Sequence, residues 1–135
     1  MNKFFFTLII FTLATTAAFA QTQTKKTETV SSKAPTNGNS IYQLFSTQNM
    51  WTFIKLDTRN GKMWQVQYDV EGSNRGQTSL NLTSLVSKEN EVRGRYTLCL
   101  TQNMYNFLLL DQIDGSVYQV QWSTEEKNRV VIPIK

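Results

Sequence analysis

The chain holds 135 residues and no histidine. Without histidine the usual general base is missing. A Ser-His-Asp triad, a Cys-His nucleophile pair and histidine metal sites are all excluded. There is one cysteine, Cys99. No intramolecular disulfide can form, so stability has to come from a core. Cys99 occupies an apolar strand position, where a buried, inert thiol is expected. Acid–base chemistry is left to the carboxylates. Asp57 and Asp111 stand 54 residues apart, and each opens a loop that closes on a glycine, Gly61 or Gly115. A glycosidase-like hydrolase needs two acids facing one cleft roughly 5–10 Å apart, a placement that spacing alone does not fix. A simpler role suffices, because an aspartate at the head of a hairpin loop accepts bonds from the amides that follow it. Residues 111–115 lack the downstream glutamate of a calcium loop. No catalytic residue, metal ligand or cofactor is assigned.

Two further sets of side chains recur in pairs. Trp51 and Tyr105 each follow a Gln-Asn-Met turn that contains Asn49 or Asn103. An aromatic at a rim beside Asn and Gln can stack on a sugar ring or anchor a protein partner; the alternative is core packing. The glutamines Gln65, Gln67, Gln119 and Gln121 alternate with apolar residues in matched strands. They form an uncharged exposed face, pin cross-strand register, line a ligand surface, or sit at the seam between the copies.

These positions are set by a segment written twice. Residues 42–69 and 96–123 align without a gap at a spacing of 54. Within each copy the patterning has period two, so strands are expected. A first strand leads through the Gln-Asn-Met turn to a second, apolar on both parities and expected to be a central strand, either covered on both faces or flanked by bulky neighbours. The Asp-to-Gly loop then leads to a third strand. There Trp64, Val66 and Tyr68, or Tyr118, Val120 and Trp122, should face the core, with the glutamines on the other side. A last short strand fits residues 77–82 and 130–134, and Pro133 places the latter at an edge. In the connection between the copies, Leu85 and Val86 are candidates to pack back. The resulting fold is all-β and antiparallel. Two tandem four-stranded repeats (residues 41–83 and 94–135) would face each other across a pseudo-twofold in a small sandwich or barrel.

The ends bound the setting. Lys3, the apolar run of residues 4–13 and the small-x-small triplet Ala18-Phe19-Ala20 make residues 1–20 an export signal rather than a membrane anchor. Residues 21–40 are rich in Thr, Ser, Lys and Asn and read as a disordered tether. The domain is then residues 41–135, exported to a periplasm or the exterior. The formal net charge is +4, and cleavage removes one of those positive charges. So weak and dispersed a charge gives no case for a nucleic-acid partner. No later apolar run is long enough to span a bilayer.

At F-x-x-L-D-x-x-x-G-x-x-[WY]-Q-V-Q-[WY], residues 53–68 and 107–122, the sequence resembles a group of small exported bacterial proteins with the same duplicated segment. The resemblance brings no catalytic residue with it. The strand–Asp–Gly-turn–Trp pattern also has a weaker similarity to propeller repeats of the quinoprotein kind. Two copies are too few to close a propeller, so no cofactor is carried over. The function expected is a non-enzymatic binding or interaction module for a glycan or an envelope protein. The alternatives are a structural or self-associating envelope protein and, further off, a carboxylate-dependent hydrolase.

Overall fold

The computed structural model describes residues 39–135; the expected export signal and nearly all of the expected tether lie outside the described residues. Eight strands follow in order: β1 (Tyr42–Ser46), β2 (Thr52–Asp57), β3 (Met63–Gln67), β4 (Gly76–Asn81), β5 (Tyr96–Leu100), β6 (Asn106–Asp111), β7 (Val117–Gln121) and β8 (Val130–Ile134). They form two antiparallel meanders, β1-β2-β3-β4 and β5-β6-β7-β8. Each repeat is therefore one sheet. Neither sheet closes on itself or shares a ladder with the other, so the barrel alternative does not hold. β4 and β8 are both edge strands, which suits Pro133.

The two sheets share one core. Ile54, Leu56 and Met63 come from the first sheet, and Tyr96, Leu98, Phe107, Leu109, Val120 and Trp122 from the second. Leu85 and Val86, in the connection, pack against this core as expected. Matching these residues across the duplication corrects the pseudo-twofold. The first sheet buries Ile54 and Leu56, yet their equivalents in the second, Leu108 and Leu110, lie on its outer side. The second sheet buries Tyr96, Leu98 and Trp122, yet their equivalents Tyr42, Leu44 and Tyr68 are exposed. One sheet thus contributes its front and the other its back. A twofold would bury the same face of both.

Three expectations change with it. β2 and β6 are central strands, but neither is covered on both faces: Leu108 of β6 is exposed, and on the outer side of β2 Phe53 and Lys55 are only half-buried, flanked by Tyr68 and Trp64. In β3 the buried side is that of Met63 and Gln65, whereas Trp64 is half-buried on the outer side and Tyr68 is exposed. The expected facing holds only in β7, where Val120 is buried, Trp122 just beyond it is buried, and Gln119 is exposed. Cys99 is exposed rather than buried. It lies on the outer side of the second sheet, while its equivalent Phe45 lies on the inner side of the first and packs against the core.

The hairpin loops carry the backbone conformations expected of them. Gly61 and Gly115 have φ of 77° and 81°. A side chain at Gly61 would also meet Leu85 Cδ1 at 2.6 Å, whereas at Gly115 there is open space. Both Gly→Ala variants should lose about 1–2 kcal/mol to the left-handed conformation. Gly61→Ala should lose more, because overpacking adds a cost of about 1–3 kcal/mol. Urea melts that rank Gly115→Ala as the more damaging would contradict this account.

Candidate functional site

The Gln-Asn-Met turns are built by their own side chains. Asn49 Oδ1 accepts the Trp51 N–H at 2.9 Å, and Asn103 Oδ1 accepts the Tyr105 N–H at the same distance. Thr47 and Thr101 hydroxyls close the turns on the carbonyls of Asn49 and Asn103. Asn49 and Asn103 therefore act as turn formers. Gln48, the first residue of its turn, ties the two turns together. Its Nε2 donates to the carbonyls of Thr101 and Gln102 at 3.3 and 3.2 Å. Only the placement of the second repeat against the first reveals that role.

Trp51 and Tyr105 sit at the rim and are partly exposed. Each leans on an aromatic of the third strand's end. Trp51 lies 5.4 Å from Tyr68, and Tyr105 lies 5.4 Å from Trp122, centroid to centroid. The Trp122 indole N–H donates to the Met104 carbonyl, fixing that end of the second sheet. Around Trp51 a wider cluster opens on the outer face of the first sheet. Phe53 is 5.9 Å from Tyr68, and Tyr42 meets Trp64 edge-on at 6.3 Å. Lys55 lies among them, its Nζ 4.4 Å from the Trp64 ring centroid and 2.6 Å from Gln77 Oε1. That face is aromatic, partly exposed and bears one cation.

The four glutamines do not share a face. Gln65 is buried between the sheets, and its Oε1 has no partner among the described residues. Gln65 and Gln67 line a cleft of about 130 Å³ at the seam, closed from the second repeat by Thr124 and Arg129. Gln119 and Gln121 are on the outer side of the second sheet. Gln119 donates to Asn106 Oδ1 at 3.0 Å and Gln121 to the Asn128 carbonyl at 3.0 Å. The seam and exposed-face readings of the glutamines are thus each realised in one repeat.

The paired aspartates are loop formers with an arginine each. Asp57 Oδ1 accepts the Arg59 N–H at 3.0 Å, and Asp111 Oδ1 accepts the Ile113 N–H at 2.9 Å. Arg59 bonds Asp57 through both Nε and Nη2. At Asp111 the arginine comes from another position. Arg95 Nε donates to Asp111 Oδ2 at 2.8 Å, and Arg95 Nη1 donates to the Asn90 carbonyl. Burial opposes ionisation of both carboxyls and is the largest single influence. The arginines and loop amides together outweigh it and hold both carboxyls below their usual range. Burial likewise pushes the Tyr96 phenol up, with the adjacent Asp111 charge adding to the effect. Among the described residues no group of three or more His, Cys, Asp or Glu side chains converges on a point.

A carboxyl depressed by folding stabilises the native state above its unfolded pKa, near 4, and that stability is lost as pH falls below it. Acid titration followed by circular dichroism should therefore show a loss of stability below about pH 4, which Asp111→Asn flattens. Arg95→Ala, which leaves Asp111 buried without its cation, should cost about 3–5 kcal/mol in urea melts at neutral pH. Arg59→Ala should cost less, because the Arg59 side chain is 32% exposed and that of Arg95 10%. Equal losses from the two arginine variants would contradict the burial argument.

No family model, curated protein or solved structure matches this chain.

Proposed function

We propose that this protein is an exported, non-enzymatic interaction module that works through the outer face of its first sheet. The observation carrying this reading is the partly exposed aromatic cluster of Tyr42, Trp51, Phe53, Trp64 and Tyr68 around Lys55. Clustered apolar side chains left open to water mark surfaces that another molecule covers. The chemistry of the face favours a protein over a glycan. Sugar rings stack on an open, flat aromatic surface. Here Tyr42 and Trp64 cross at 65° and Trp51 and Tyr68 at 55°, and Lys55 covers one face of Trp64. The carboxylates support the non-enzymatic part, since Asp57 and Asp111 are committed to arginines and to their own loops. Export rests on residues 1–20.

Site-specific photo-crosslinking in cells that export the chain tests the reading. A photoreactive residue in place of Leu44, on the aromatic face, should give protein adducts. The same residue in place of Val70, exposed beyond the end of β3, should give few. Equal adduct levels at both positions, or none at Leu44, would sink the proposal.

A further inference from the structure

The contact between the two repeats shows what each of their faces binds. The inner row of the first sheet is Phe45, Ile54, Gln65 and Thr78, running directly across β1 to β4. The inner row of the second is Leu98, Leu109, Tyr118 and Pro133. By the duplication, the second sheet's outer row, Cys99, Leu108, Gln119 and Ile132, is equivalent to the first of these. The first sheet's outer row, Leu44, Lys55, Trp64 and Ser79, is equivalent to the second. The molecule therefore carries on its two outer sides the same two kinds of face that pack together in its middle.

The bonds that fasten the repeats have counterparts too. Tyr96 N–H donates to the Thr58 carbonyl at 2.8 Å, Gln48 reaches the carbonyls of Thr101 and Gln102, and Arg129 Nη1 donates to the Ser79 carbonyl at 3.1 Å. The equivalent donors, Tyr42, Gln102 and Arg75, are all exposed. Arg75 already makes the anchoring bond from its Nε to the Asp69 carbonyl, as Arg129 does to Ser123. What Arg75 lacks is a second sheet to reach.

We infer that the occupant of the aromatic face is the outer face of the second sheet of another copy of this chain, stacked front to back as the two repeats are. The inference rests on the proposed binding role of that face and names its partner. A contact of this kind is heterologous, so each added chain presents the same free faces again. It closes into a ring when the rotation between repeats returns to its start, and grows as a filament when it does not. Lys55 is the one charge on the aromatic row, where the second repeat has Leu109. Its burial opposes association, so the contact between chains is weaker than that within a chain.

Sedimentation of the full exported chain across a concentration range tests the inference. The mass should rise above the monomer, whether to a fixed value or continuously. Trp64→Glu and Leu108→Glu place a charge on one outer face each and should both remain monomeric while still unfolding cooperatively, Trp64→Glu at a somewhat lower temperature because it loses the Tyr42 and Lys55 contacts. Leu44→Glu and Ile132→Glu form a second pair should either of the first fail to fold. Mixed in equal amounts, the two variants of a pair should form a complex of two chains that grows no further, because each restores the face the other lacks. Lys55→Leu should lower the concentration needed for association by roughly tenfold or more. A Leu108→Glu variant that still self-associates would mean that the aromatic faces pair with each other, and would overturn front-to-back stacking. A wild-type chain that stays monomeric, while Leu44 crosslinks a different protein, would overturn self-association and leave the binding face standing. No adduct at Leu44 together with a strict monomer would remove both.

Discussion

A single four-stranded sheet built from this repeat cannot hide both of its sides. Each copy has apolar side chains on both, and one partner covers only one of them. The structure answers this by setting the back of the first sheet against the front of the second. Nine apolar side chains are buried as a result, and burying an aliphatic or Phe side chain contributes roughly 1.5–3 kcal/mol each. The bonds that cross between the repeats contribute about 1 kcal/mol apiece. Apolar burial therefore holds the sheets together, and the polar contacts fix where they stop sliding.

The polar contacts sit at the two ends of the strands. At one end, Thr58 serves both repeats. Its N–H bonds the Ile41 carbonyl within the first sheet, while its carbonyl and hydroxyl accept from Tyr96 and Gly94 at the start of the second. The Asp57 loop is thus a hairpin in one repeat and a docking point for the next. Asn60 extends this role, with its carbonyl accepting the Leu85 N–H and its side chain bonding Glu91. The buried carboxylates at the loop heads, Asp57 and Asp111, are each paired with an arginine. That their arginines come from different positions, Arg59 after one and Arg95 before the other, shows what the site requires. It requires a cation at the carboxylate, and where in the repeat the cation originates is free to vary.

Much of the architecture was legible because it is local. The alternation in residues 42–46, the Asp-to-Gly loops and the 54-residue period gave eight antiparallel strands in two sheets, with Pro133 at an edge. Facing was not legible, for a physical reason. The repeat is amphipathic on neither side, so the period-two pattern marks a strand without saying which side is wet. Gln65 and Gln119 each lie between an aromatic residue and a valine in sequence, and one is buried while the other is solvent-exposed. Cys99 shows the same thing: it aligns with Phe45 in the repeat, yet Phe45 packs against the core and Cys99 is exposed. The arrangement also left the candidate residues on several surfaces. Trp51 is on the aromatic rim, Gln65 and Gln67 are at the seam, and Gln119 and Gln121 are on the far side.

The differences between the copies become informative once the facing is known. Across the middle of the strands a position and its equivalent lie on opposite sides of the internal contact, one facing in and one facing out, whereas the loop-head aspartates are buried in both copies. Substitutions from one copy to the other therefore record what each surface meets. Phe45 becomes Cys99 and Leu109 becomes Lys55, and in both the outer residue is smaller or more polar. Yet Tyr96 remains Tyr42, Phe107 remains Phe53, and Thr78 on the inner side becomes the more apolar Ile132 outside. A surface adapted only to water would have exchanged such residues for charged ones, since exposed aromatic and branched side chains promote association. The outer faces have been tempered, with Lys55, Cys99 and Gln77 where the inner equivalents are Leu109, Phe45 and Val131, and have kept much of the apolar character of the contact they resemble.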